Sequence, residues 1–176
     1  MNSDELRALQ APLKAHYRND PAAALVTLKA SGRLGEEAVV CSVETGRALV
    51  EAGLHPKTGG DGVAACSGDM LLQALVACAG VTLKAVATAL GIAIHGGSVR
   101  AEGDLDFRGT LGMARDVPVG FAAIRLEFDL ETNASPEQLE KLLTLTERYC
   151  VVYQTLRSSP PLTVSHRVGT ARQLGR

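Results

Sequence analysis

Four cysteines, at positions 41, 66, 78 and 150, are the residues of this sequence best suited to chemistry. The thiolate, not the thiol, is the nucleophile, and at a pKa near 8.5 only about 3% of a thiol is ionised at pH 7. A neighbouring guanidinium that lowers that pKa by about 3 units makes nearly all of it thiolate, worth about 30-fold in reactive species. No two of the cysteines form a Cys-x-x-Cys pair, and His16, His55, His95 and His166 are scattered, so the pattern does not point to zinc.

Cys78 falls in the middle of the most apolar stretch of the chain, Asp69 to Leu90, where only Gln73 and Lys84 are strongly polar. Such a run predicts a helix buried nearly all round. Its length also suits a membrane span, but Lys84 near the middle costs roughly 2.5 to 3.5 kcal/mol there, so the expectation is the central helix of a soluble core. By itself a cysteine in such a helix behaves as a small hydrophobe. Thr82, one turn on, lies on the Cys78 face, whereas Lys84 lies away from it and is expected to snorkel or pair at a subunit boundary. Asp69 opens the run and suits a helix cap, since a carboxylate is favoured at the positive end of the helix dipole.

The remaining elements frame that helix. Residues 3–17 read as an amphipathic helix interrupted by Pro12 and ended by Asn19-Asp20-Pro21. The β-rich runs 23–30 and 36–45 flank Ser31-Gly32-Arg33-Leu34-Gly35, which reads as a hairpin turn, and 47–54 supplies a third strand. Cys41 alternates with valines on the second run and is expected in the core; Cys66, before the central helix, is the spare thiol. Residues 95–109 and 119–131 return to strand patterns, with alternation over Ile124, Leu126, Phe128 and Leu130. Ser135-Pro136 with Gln138 starts a helix whose stripe is Leu139, Leu142, Leu143 and Leu145. It runs to Cys150, a further turn or two follows, Pro160-Pro161 stops it, and Leu162–Val168 makes a last strand. His95 and His166 fall in strands and are assigned no role.

This order predicts one α+β domain over residues 23–176, preceded by an N-terminal helix and linker over 1–22. A chain of 176 residues can bury a core without staples. With 46% hydrophobic and only 3% aromatic residues, that core must be built from Ala, Val and Leu. A formal charge of -1 and the lack of a Lys/Arg run argue against nucleic-acid partners and an anionic membrane surface. The polar first twenty residues contain no export-type apolar region, which makes the expected location cytoplasmic, where cysteines stay largely as thiols.

The segment Ser67 to Gly91 resembles the central helix of the OsmC/Ohr family, in which a short turn, an acidic residue and "LL-x-AL-x-A-C" recur. Glu147 to Leu156, ERYCVVYQTL, is similar to the family's second-cysteine region. That cysteine is usually followed by proline, where this chain has Val151. The family's peroxidase branches usually open the central helix with Asn-Pro-Glu or Pro-x-Glu, where this chain has Cys66-Ser67-Gly68-Asp69. Ser31-Gly32-Arg33 resembles the hairpin that supplies a thiolate-stabilising arginine. The resemblance implies antiparallel strands around a long central helix in an intertwined homodimer. It implies a peroxidase in which Cys78 reduces an organic hydroperoxide and Cys150 closes a disulfide with it, Arg33 and Asp69 supporting the thiolate, with no cofactor or metal and with an external dithiol as reductant. The alternative is a non-enzymatic dimer of the same fold that binds a small molecule or senses redox state.

Overall fold

A run of 24 residues without proline, rich in Ala, Leu and Val, forms the longest element of the computed structural model, α2 (Ser67–Leu90). The structure describes residues 2–19, 32–34, 40–44, 49–112 and 114–168. Gly91 ends α2 in the left-handed conformation (φ 69°), and its N–H closes on the carbonyls of Ala87 and Thr88, a stop that glycine adopts without the Cβ penalty. Before α2 stand α1 (Ser3–Asn19) and three short strands, β1 (Gly32–Leu34), β2 (Val40–Glu44) and β3 (Leu49–Gly53), with β4 (Ala65–Cys66) running straight into the helix. They form one sheet in the order β1-β2-β3-β4, antiparallel except for the β3–β4 step.

After α2 the chain makes an antiparallel pair, β5 (Ile94–Asp104) and β6 (Ala123–Thr132), separated by the short α3 (Phe107–Thr110). In β6 the even-numbered residues turn inward and the odd ones outward, as strand geometry requires. Gly97 sits at φ 134° beside the bulge at Ile94/Gly96, with the Asp129 carbonyl where a Cβ would stand, so the pair can close there only with glycine. Ser135 then caps α4 (Pro136–Tyr149): its hydroxyl accepts from the Gln138 N–H while the Gln138 side chain accepts from the Ser135 N–H. The last helix is α5 (Val151–Arg157).

Leu83, Ala87 and Leu142 form the centre of the core, with Val86, Leu90, Ile94, Phe128, Leu130 and Leu139 packed round them. Alanine at 79 and 87 lets α4 and the β5–β6 pair approach the α2 backbone closely.

Four expectations are corrected. Gly32–Leu34, expected as the hairpin turn, is strand β1, paired Gly32 to Val43 and Leu34 to Cys41; partner strand β2 outweighs the local turn preference of glycine. The helix α1 passes through Pro12 without a break, its contact with α2 offsetting the missing hydrogen bond. The central helix is not buried all round: Leu75, Ala79, Leu83 and Ala87 are buried, but Leu71 is 40% and Val81 72% exposed. Helices α1, α4 and α5 and strands β4 and β5 pack on it but leave part of it bare, and by length and composition α2 alone among the described residues is apolar enough to cross a membrane. The last run, Leu162–Val168, is no strand; it lies exposed and unpaired, because a strand needs a neighbour for its backbone groups. The strand expected at 23–30 lies outside the described residues.

Candidate active site

Cys150 occupies the joint between two helices, as the last cap of α4 and the first of α5, with an extended backbone (φ -74°, ψ 108°). The Cys150 N–H donates to the Thr146 carbonyl at 2.9 Å, and its own carbonyl accepts from Gln154 N–H at 2.9 Å. Side chains clamp the same joint: Tyr153 donates its hydroxyl proton to Glu147 at 3.1 Å and the Gln154 amide donates to the Glu147 carbonyl at 2.8 Å. The joint turns the Cys150 side chain inward, where it is 1% exposed, against Cys78 on α2.

The two thiols lie against each other, and their surroundings shift their pKa values in opposite directions. Burial works to raise the Cys78 pKa, yet donors outweigh it: the Val152 N–H, the Cys150 thiol, the Val151 N–H and the Thr82 hydroxyl hold Cys78 below the ordinary thiol value. Burial pushes Cys150 up; the Tyr153 and Val152 N–H groups oppose this, but its bond and proximity to Cys78 add to the rise. Cys78 is therefore the more readily ionised of the two thiols and Cys150 the one that keeps its proton longer. A proline at 151 would have no N–H to give; Val151 keeps that donor.

A test of this asymmetry is the pH profile of alkylation by iodoacetamide. Cys78 should react first, with a midpoint below that of an ordinary thiol, and Thr82→Val should move the midpoint upward by removing one donor to the thiolate. Equal rates at Cys78 and Cys150 across the profile would contradict the assignment.

Of the other expected site residues, Asp69 stands apart from Cys78. Asp69 is exposed in the first turn of α2, nine residues from Cys78, about 13 Å along the axis. It lines a cavity of about 370 Å³ with His55, Cys66 and Asp104. The N-cap position belongs to Cys66, which makes no side-chain cap bond, so Asp69 is a first-turn acid rather than the cap. Arg33 is on β1 opposite Ser42, and its side chain is outside the described residues, as is that of Cys41. Cys66 is half-buried and free. Leu75, on the turn before Cys78, is 2% exposed in the core. The Lys84 ammonium donates to the Ile94 carbonyl at 3.3 Å; His95 and His166 are exposed. Sequence reasoning missed the backbone donors of Val151 and Val152 and the Glu147 clamp; the first carry no residue-type signal, whereas the spacing of Glu147 before Cys150 was visible.

Residues 59–165, more than half of the chain and spanning both thiols, match the family model described as OsmC-like protein. The chain belongs to the OsmC-like family. An OsmC-like protein of Mycoplasma pneumoniae is 17% identical over 76% of this chain and 89% of its own, with a TM-score of 0.63. An organic hydroperoxide resistance protein OsmC of Legionella pneumophila is 18% identical over 76% of this chain and 91% of its own, TM-score 0.59. An organic hydroperoxide resistance protein of Vibrio cholerae, solved with captopril in one of its active sites, is 22% identical over 77% and 88%, TM-score 0.53. These likenesses establish the α+β OsmC-like fold. Among curated proteins none matches the sequence.

Proposed function

We propose that this OsmC-like protein is a thiol peroxidase for organic hydroperoxides. The observation that carries the reading is the contact between a depressed thiol, Cys78, and a buried thiol of raised pKa, Cys150. The Cys78 thiolate attacks the outer oxygen of ROOH, the O–O bond breaks, and the alkoxide leaves and takes a proton, giving ROH and a sulfenic acid on Cys78. The Cys150 sulfur then attacks the Cys78 sulfur, hydroxyl leaves as water, and a disulfide forms. An external dithiol reduces it by exchange, returning two thiols. Relatives named for organic hydroperoxide resistance support the substrate class.

The working form in this proposal is a homodimer in a reducing, cytoplasmic compartment. Supporting it are the bare apolar face of α2 around Leu71 and Val81 and the unpaired run Leu162, Val164 and Val168, which are 86%, 97% and 89% exposed. A second copy would cover the first and give the second a strand to join. In that dimer Asp69 and Arg33 act on the thiolate of the partner, since Asp69 is too far from Cys78 of its own chain. That separation also favours the second reading, a non-enzymatic binding or redox-sensing dimer.

The deciding experiment treats the reduced protein with one equivalent of cumene hydroperoxide and maps the cysteines by mass spectrometry. A Cys78–Cys150 disulfide with release of one alcohol is the expected result. Oxidation centred on Cys66 or Cys41, or a sulfonic acid on Cys78 beside an untouched Cys150, overturns the two-thiol mechanism.

A further inference from the structure

In an unbroken helix the Val151 N–H would close on the Glu147 carbonyl, one turn back. The extended backbone of Cys150 (φ -74°, ψ 108°) breaks that ladder between α4 and α5. The Cys150 N–H still bonds to the Thr146 carbonyl, but the N–H groups of Val151 and Val152 turn to the Cys78 sulfur. The Glu147 carbonyl, whose backbone donor has turned away, accepts instead from the Gln154 carboxamide at 2.8 Å. A carbonyl can only accept, so it is the amide nitrogen of Gln154 that faces it. Gln154 lies one turn beyond Val151 in α5, and a helical side chain leans back over the turn before it. Its amide therefore reaches the place that the Val151 N–H has vacated.

We propose that Gln154 is a positioning residue for Cys78: by occupying the Glu147 carbonyl, its carboxamide keeps the α4–α5 joint open and the Val151 N–H on the Cys78 sulfur. A break in a helix leaves acceptors on one side and donors on the other to be satisfied. Here the donors at the start of α5 go to the sulfur, and an acceptor at the end of α4 is met by a side chain of α5, so both sides of the break are satisfied. Without that side chain the nearest donor for the Glu147 carbonyl is the Val151 N–H itself. Closing that bond continues α4 into α5 and draws the donor away from Cys78. Gln154 thus acts through the backbone rather than by touching either sulfur. The inference concerns the reactivity of the Cys78 thiol, and only its consequence for turnover rests on the peroxidase reading above. Among the described residues Cys150 is the titratable group that meets Cys78, so a pH profile of Cys78 reads this pair and the donors round it.

The test is the pH profile of Cys78 alkylation by iodoacetamide in wild type, Gln154→Met, Val151→Pro and the double variant. Methionine matches glutamine in length, brings no N–H and adds no charge. Below the wild-type midpoint Gln154→Met should slow alkylation about five- to tenfold, the scale of one hydrogen bond to an ionised group, and well above it by less than about twofold. Gln154→Asn, whose amide is one methylene too short to reach, should change the profile in the same direction. Proline suits the first position of a helix and an extended residue before it, so Val151→Pro removes the N–H while holding the joint open. It should slow alkylation by a similar factor, and adding Gln154→Met to it should cost less than about a further twofold, since both act through one donor. Equal slowing at every pH, faster alkylation throughout from a loosened joint, no change, or full additivity of the two substitutions overturns the proposal. Single-turnover consumption of cumene hydroperoxide by the same proteins tests the peroxidase reading separately. If none consumes it while the alkylation pattern is as expected, the peroxidase reading fails and the role of Gln154 stands; if all consume it and Gln154→Met alkylates like wild type, the role of Gln154 fails alone.

Discussion

Replacing Cys78 by serine should abolish hydroperoxide consumption, a loss of at least about 10³-fold, or about 4 kcal/mol in the barrier. The size follows from what is lost. Two backbone N–H groups, the Cys150 thiol and the Thr82 hydroxyl favour the ionised form of Cys78, whereas serine in the same place remains a neutral hydroxyl at any working pH. Its shape is nearly the same and its neighbours can still hydrogen-bond to it, so melting temperature should change little. Cys150→Ser should behave differently, because the first chemical step needs only Cys78. It should release one equivalent of alcohol in a single turnover and then stall, with Cys78 moving on to sulfinic acid under excess oxidant. Steady turnover in Cys78→Ser would remove this thiol from the mechanism, whatever the fate of Cys150.

That Cys78 and Cys150 were legible in the sequence as a candidate pair owed less to the cysteines than to their setting. Cys78 in an apolar helix is ambiguous; Cys150 at a break between two helical patterns narrows the choice, and the structure places the two in contact. What lowers the Cys78 pKa was not legible, because two of the donors are backbone N–H groups at the start of α5 that any residue except proline would present. The side chain of Arg33 lies outside the described residues; among the described ones the groups that lower the Cys78 pKa are neutral donors.

The fold was legible where its signals were local. The residues Ser135, Pro136 and Gln138 specify a helix start within four positions, and the capping box forms as they dictate. Elements that depend on pairing were misread. Gly32–Leu34 carries a turn-like glycine yet lies in a strand because β2 is beside it, and Leu162–Val168 alternates like a strand yet pairs with none of the described residues. The half-bare α2 has the same origin: composition says that a helix must be covered on both sides, but not by which molecule.

Truncating Leu142 to alanine should be the most destabilising single change in the described core, costing about 3 kcal/mol within the 2 to 5 kcal/mol range for such deletions. Leu142 is fully buried and sits in the cluster with Leu83 and Ala87, ringed by Phe128, Leu130 and Leu139. Two of its supports are ill suited to collapse into the gap: Ala87 has no side chain to extend, and β6 is held to β5 along ten residues. For a chain of this size that cost lowers the melting temperature by about 6 to 12 °C at fixed protein concentration. Leu111→Ala, at a position 51% exposed, should move it by no more than about a degree or two. Because α4 delivers Cys150 to Cys78, the loosened packing should also slow disulfide closure in the folded variant, while alkylation of Cys78 stays near the wild-type rate. A melting temperature within about 2 °C of wild type would mean that α4 is held by something other than this cluster. In that case the Glu147–Tyr153–Gln154 clamp at the helix joint becomes the next element to remove.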